Sequence, residues 1–440
     1  MNTPKVHIIE DLRRFLIESN ANKEKYRTYA TAFTKPKKLS FMLTVLFLLN
    51  LPRKSLGVEI EDFFKLLGKE ELTCTKSAIS QSRYKIKPTI FIAWNKALQH
   101  SYYHHNKELV KTFGKYHLQG VDGTTLHLME VEEIREEFGC HGNQHRKVPM
   151  ARVVVRVDVL NEIIIDGKIG PIYKGEKVMA VSQLDEVADD VISIYDRNFA
   201  SFAFMYEHTL RRLNFIIRCK VGHNQVVKDF VSSGKKSAIV SFYPTKHAIK
   251  YFDKQGIQLD KQEALQLRLV RVELNTGEIE ILITSLLDTK EFAASSFGEL
   301  YHLRWGTETC FDTLKNKLQL TAFSGHTAKA IYQDFHATIL VANINTILIQ
   351  DCEEQVEQIS QGREHDYKVN RNVSIGCMKN ELIKIFIEEN PPVVLQILKT
   401  MKSRFLRHLE PVRHNRSFKR KYKGRPRCKY LTLTNYRRAI

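Results

Sequence analysis

Cysteine is sparse in this chain of 440 residues: seven are scattered, at Cys74, Cys140, Cys219, Cys310, Cys352, Cys377 and Cys428, with no Cys-x-x-Cys pair. An odd count without paired spacing excludes a disulfide framework and a zinc ribbon, and it fits a reducing compartment. Long apolar runs are missing too. The longest, Phe41 to Leu51, is interrupted by Thr44 and Asn50 and falls short of the ~20 residues a bilayer span needs, so it reads as a buried helix. The N-terminal residues run into a helical pattern with Asp11, Arg13 and Arg14 rather than an apolar leader. The expectation is a cytoplasmic protein with no membrane partner. Tryptophan occurs twice, at Trp94 and Trp305, and neither internal repeats nor low-complexity stretches are found.

Acids are also in short supply, 49 against 68 Lys and Arg, for a formal charge of +19. The hydrophobic fraction of 43% and charged fraction of 27% are those of a soluble globular protein, and the length implies two to four packed units. The excess charge is uneven. From Met401 to Ile440 fourteen Lys and Arg face one acid, Glu410, a net +13 with Phe418, Tyr422 and Tyr430 interleaved. Basic blocks with interspersed aromatics suit a polyanion, nucleic acid above all.

The periodicity predicts a multidomain α/β protein. Residues 1–115 read as a helical N-terminal DNA-binding domain, with helices over Val6 to Ser19, Leu39 to Leu51, Ile60 to Leu67, and Lys76 to Gln99 broken at Pro88. Within it, Thr75 to Lys85 has the look of a recognition helix, its Ser, Gln, Arg and Lys side chains free for bases and phosphates. Residues 116–350 read as a mixed sheet covered by helices: strands His117 to Leu128, Val153 to Val159, Ile163 to Ile165, Val191 to Tyr195 and Phe215 to Val221, with helices Ala180 to Asp190 and Phe202 to Arg212 between them. A β-rich insertion is expected at about 223–290. Long helices follow at Glu291 to Leu318 and Ala328 to Asp351. Residues 351–440 form a helical C-terminal region with the basic tail.

The chemistry-bearing residues fall in this middle portion. Tyr301, Arg304, Glu308 and Lys315 are spaced so that a continuous helix would carry all four within about 60° of one another. Asp122 sits between glycines in Gly120-Val121-Asp122-Gly123, and Asp196 ends the apolar run 191–195. Both are expected at strand ends, where α/β sheets place ligands. Converging carboxylates repel, so a shared site makes sense chiefly around a divalent cation, and hard oxygen donors favour Mg²⁺ or Mn²⁺.

At these residues the chain resembles the DDE transposases of bacterial insertion sequences, in particular the insertion-sequence-four family with its Tyr-Arg-Glu-Lys signature. The signature stands as Tyr301-His302-Leu303-Arg304-Trp305-Gly306-Thr307-Glu308 with Lys315 beyond. The resemblance extends to Val121-Asp122-Gly123, Tyr195-Asp196-Arg197, Phe33 to Phe64 and Gly325 to Asn343. It implies an RNase H-like catalytic core with a β-rich insertion. It also implies a metal-binding catalytic triad of Asp122, Asp196 and Glu308 holding two Mg²⁺ or Mn²⁺ ions, and phosphate contacts from Tyr301, Arg304 and Lys315. The implied activity is cleavage at transposon ends and strand transfer into target DNA. Its partners would be double-stranded DNA, as terminal inverted repeats and target, and a second copy in a DNA-bound homodimer associated with the nucleoid. Some relatives flip a base onto a tryptophan of the insertion. This chain has none there, leaving Phe242, Tyr243, Tyr251 or Phe252 for stacking.

Two other readings share these residues: a structure-selective nuclease on the same core, and a transposase-derived DNA-binding protein that no longer cuts. Asp312, four residues past Glu308, reads as a surface partner of Lys315. Asp158 with Arg156 reads as the solvent side of an alternating strand. Cys140, His141 and His145 lack a fourth ligand at zinc spacing. If the tail supplies sequence-independent attraction, deleting residues 419–429 weakens binding to any duplex and flattens its log–log salt dependence by roughly 0.9 for every phosphate no longer neutralised. Fluorescence anisotropy over a salt series measures this.

Overall fold

The structure, a computed structural model, describes residues 4–274 and 277–413. Most of the basic tail lies outside the described residues. Its first part belongs to helix Pro391–Arg407, where Met401 and Phe405 are buried. No helix among the described residues is long and apolar enough to cross a membrane. The chain forms two compact units that interleave along the sequence: Met1–Leu109, Leu126–Ala151 and Phe311–Ile440 make the first, Val110–Thr125 and Arg152–Cys310 the second.

Strands of the second unit belong to one sheet. In chain order the strands are β1 (His117–His127), β2 (Cys140–Gly142), β3 (Lys147–Asp158), β4 (Ile163–Pro171), β5 (Val191–Tyr195), β6 (Asn214–Cys219), β7 (Ser237–Phe242), β8 (Leu265–Glu273) and β9 (Ile279–Thr284). Their spatial order is β2-β3-β1-β5-β6-β9-β8-β7, with β4 on β3. Strands β1 and β3 run on into the first unit, where β2 pairs antiparallel with β3. The central strands β1, β5 and β6 are parallel, and β6, β9, β8 and β7 continue antiparallel. The expected β-rich insertion is therefore an extension of the main sheet, and it brings two helices, Gln225–Ser232 and Lys246–Asp253, that the sequence did not signal.

All five residues of β5 are buried, as a parallel strand covered on both faces requires. Alternation sorts them: Tyr195, Phe215 and Ile217 pack with Phe199, Phe204 and Phe252 on one face, while Ile192, Ile194 and Ile216 pack with Phe297, Leu300 and Tyr301 on the other. Covering both faces overturns the solvent-facing reading of Arg156 and Asp158, which are 1% and 0% exposed. Apart from Arg156 Nε, which has no partner, their polar atoms are satisfied inside. Arg156 donates to Gln119, Ser193 and the Tyr195 hydroxyl, and Asp158 accepts from the Asn161 side chain and the amides of 160 and 161. Burial holds His208 neutral, its pKa pushed down to about 3, so it can accept from Tyr195 at 2.9 Å.

The long helix expected over Glu291 to Leu318 is broken. It forms helices Phe297–His302 and Trp305–Asp312 with a turn at Leu303 and Arg304, then a π-helical turn, Thr313–Lys317. The helix expected at Ala180 to Asp190 starts earlier and is shorter, Glu176–Val181. A π turn widens the spiral to i→i+5, and Asp312 accordingly pairs with Lys317 at 3.5 Å rather than with Lys315.

In the first unit, helix Ala328–Gln350 is almost wholly buried. Helices of residues 1–115 do not stand apart from it. Asn343 donates to Asn95, and Gln333 donates to the carbonyls of 83 and 86. Arg83, expected to be free for DNA, is 6% exposed and reaches Asp334 at 2.9 Å, Gln333 at 2.9 Å and Ser324 at 2.7 Å. Asp334→Leu leaves that guanidinium buried and unpaired, at an expected cost of about 3–5 kcal/mol, whereas Arg83→Met with Asp334→Leu recovers most of it. Denaturant unfolding of the three proteins checks the pair; equal loss in single and double variants would contradict it.

Candidate active site

Register sets the first relation. Val121 pairs with Tyr195 in the parallel β1–β5 ladder, so the next residues, Asp122 and Asp196, occupy corresponding positions on neighbouring strands. Asp196 does end its strand, and its carboxylate accepts from the Asn198 amide at 2.7 Å. Asp122 is mid-strand, because β1 continues to His127 past the end of β5.

The glycines beside Asp122 serve the protein's own packing. A Cβ on Gly120 would meet Thr307 Cγ2 at 2.6 Å and Val159 Cγ1 at 2.9 Å, and one on Gly123 would meet the Glu176 side chain at 2.6 Å. Bare backbone at 120 thus seats fully buried Thr307 on β1, which brings the start of helix Trp305–Asp312 over Asp122. Arg304, in the turn just before, places one guanidinium nitrogen 2.9 Å from Glu308 and another 3.5 Å from Asp122. The Arg304 side chain is 9% exposed, against 22% for Asp122 and 38% for Glu308. Its guanidinium also lies 5.9 Å from the Tyr301 ring centre.

Five of the six sequence candidates, Asp122, Asp196, Tyr301, Arg304 and Glu308, thus lie in the second unit. Lys315 lies past the boundary, in the first unit, and is 5.8 Å from the Phe311 ring. Burial lowers the pKa of its ammonium. Sequence reasoning missed Glu176. It opens a short helix, accepts from Arg152 at 2.6 Å, and stands against Gly123; only its place in the first turn of a helix gave any cue.

Burial pushes the Asp122 carboxyl up to about 6; the Gly123 amide and Arg304 oppose this, and the charges of Asp196 and Glu176 add to it. Tyr301 is likewise raised to about 12 by burial. Two buried polar atoms here have no hydrogen-bond partner: the Tyr301 hydroxyl and Arg304 Nε. Such unspent buried donors fit a ligand with acceptor oxygens. Among the described residues no three His, Cys, Asp or Glu side chains are grouped to hold a metal ion, the Cys140, His141 and His145 set included. At the Asp122 cluster a guanidinium stands between two of the carboxylates instead. The donor set itself, hard oxygens with too little positive charge among them, suits a divalent cation.

The arrangement set beside known proteins is Asp122 and Asp196 on neighbouring strands, with Arg304 reaching Asp122 and Glu308 from the turn between two short helices. The family model described as Transposase DDE domain matches residues 115–344, just over half of the chain, and the chain belongs to that family. It is 19% identical over 233 residues to the transposase InsG of insertion sequence element IS4 from Escherichia coli (strain K12), an alignment covering 52% of this chain and 51% of that one. The chain thus spans about half the length of that curated relative. Among solved structures, a cryo-EM structure of the piggyBac transposase synaptic complex with hairpin DNA aligns over 98% of this chain and 91% of that one, at 9% identity and a TM-score of 0.41. At that score the likeness is loose.

The raised Asp122 pKa gives a pH signature. The unfolded carboxyl titrates near 3.8 and the folded one near 6, so the folded state bears no penalty below pH 3.8 and the full penalty above 6. Asp122→Asn removes it. The variant should exceed the parent in unfolding free energy by on the order of 3 kcal/mol at pH 8 and about 1 at pH 4.5. Urea unfolding at the two pH values measures the difference, and a gain independent of pH would refute the shift.

Proposed function

We propose that this protein is a DNA transposase of the cut-and-paste type on an RNase H-like core, with Asp122, Asp196 and Glu308 as its catalytic carboxylates. The observation that carries the reading is the β1–β5 register, which sets Asp122 beside Asp196, together with the Arg304 guanidinium that ties Asp122 to Glu308. The order β4-β3-β1-β5-β6 with β1, β5 and β6 parallel supports the core assignment.

Asp122, Asp196 and Glu308 would hold two Mg²⁺ or Mn²⁺ ions. When bound, such ions activate a water or a 3′-hydroxyl and stabilise the leaving oxygen of in-line phosphoryl transfer. The protein's own groups do the rest. Arg304 keeps the acids from repelling one another until DNA is present, then presents its planar fork to a phosphate at the transposon end. Tyr301 donates its unspent hydroxyl to the same strand, and Lys315 contributes a point charge. Terminal inverted repeats and target are the double-stranded DNA partners, engaged by a homodimer in which residues 1–115 contribute to end binding.

Asp122→Ala, Asp196→Ala and Glu308→Ala should each abolish cleavage of end-containing DNA in Mg²⁺ while gel-shift affinity changes little. Arg304→Ala should slow single-turnover cleavage about ten- to a hundredfold, the worth of one charged, oriented contact. Cutting without joining in a strand-transfer assay would favour a nuclease; robust cutting by all three acid variants would refute the site, and no cutting by the parent would favour a silent DNA-binding descendant.

A further inference from the structure

Away from that site, the first unit carries a groove of about 640 Å³ between the segment following residue 28 and helix Lys76–Tyr84. Its lining includes Tyr29, Phe33, Lys35, Lys37, Lys38 and Lys85, and no carboxylate. Among the described residues none of these four lysines has an acidic partner. Unpaired like charges around one cavity repel, so their convergence favours an anion.

The walls are held in place without using the lysines. Ser82 bonds the Thr44 hydroxyl at 2.8 Å, and buried Arg83 ties the helix to Asp334, which leaves Gln81 and Lys85 on the groove side. Opposite, Pro36 stiffens the Lys35-Pro36-Lys37-Lys38 run just before Ser40, which caps the next helix by accepting from the Leu43 amide. Phe33 has a positive φ of 58°, an unfavourable state for a bulky residue that points to function when the surroundings enforce it. Its ring is braced edge-on by Phe41 at 5.5 Å, and Lys85 lies 5.8 Å from its centre. Tyr29 is 45% exposed.

Aromatic surface beside unpaired lysines is the arrangement that holds unpaired nucleotides, bases on rings and phosphates on cations. The volume is that of a small-ligand pocket, too small to admit a duplex. We propose that this groove captures an unstacked nucleotide of the DNA strand, its base against Tyr29 and Phe33 and its phosphates among Lys35, Lys37, Lys38 and Lys85. The inference rests on the reading that DNA is the substrate, but not on the triad.

The test uses the full chain with a fluorescent oligothymidine and with a duplex bearing 2-aminopurine at an unpaired end. Lys37→Gln/Lys38→Gln should weaken oligothymidine binding about tenfold or more and flatten its log–log salt slope by about 1.4, two single-strand phosphate contacts. Tyr29→Ala should abolish the 2-aminopurine quench seen with the parent. Parent-like binding and quenching by both variants would overturn the groove. So would thymidine monophosphate competing as well as the oligonucleotide, since a free nucleotide would then be the ligand. A parent that binds no DNA overturns this inference and the transposase reading together, whereas groove binding with no cleavage supports the groove and removes only the other.

Discussion

The second unit is arranged around a repulsion. Parallel pairing of β1 with β5 makes Asp122 and Asp196 neighbours, and packing of Thr307 against Gly120 brings in the segment whose Arg304 reaches both Asp122 and Glu308. Glu176 stands close by. Burial first, and the charges of Asp196 and Glu176 after it, disfavour ionisation and raise the pKa of Asp122. One guanidinium offsets this. Arg304 lies between Asp122 and Glu308, and the break in the helix at residues 303 and 304 lets it do so.

A site of this kind needs a stiff support. Beneath the acids, Arg156 joins β3 to β1 and β5 through Gln119, Ser193 and Tyr195, and Tyr195 is fixed in turn by neutral His208. A buried cation satisfied chiefly by neutral acceptors is costly to rearrange, so the strands cannot slip without leaving it unsatisfied. The β1–β5 register that aligns the two aspartates is thereby locked from inside the sheet.

Much of this was legible in the sequence because it follows local pattern. The apolar run 191–195 identified β5, and the spacing drew attention to Asp122 and Asp196, now at corresponding positions of neighbouring strands, and to Glu308, which shares Arg304 with Asp122. What was missed depends on tertiary context. Arg156 and Asp158 alternate with apolar residues as solvent-facing positions would, and only coverage of the second face reverses that. Arg83 sits in a polar helix and reads as free, yet its partner Asp334 is far along the chain. Glu176 belongs to no motif. Nor does spacing reveal that Arg304 is in a turn, since helical offsets assume a continuous helix.

The acidic centre also constrains how a polyanion can be bound. Asp122, Asp196 and Glu308, with Arg304 shared between Asp122 and Glu308, offer a polyanion little positive charge, so on the proposed reading the attraction for DNA has to reside elsewhere in the chain. The distribution of charge is consistent with this: the net +19 is concentrated in the tail, and the groove lysines of the first unit are left unpaired among the described residues. On that reading, the groups that attract DNA are separate from those that act on it, and each meets its own requirement. The lysines stay free of acids that would neutralise them. Arg304 alone belongs to both sets, because the same planar fork that matches a carboxylate also matches a phosphate, and it cannot face both at once.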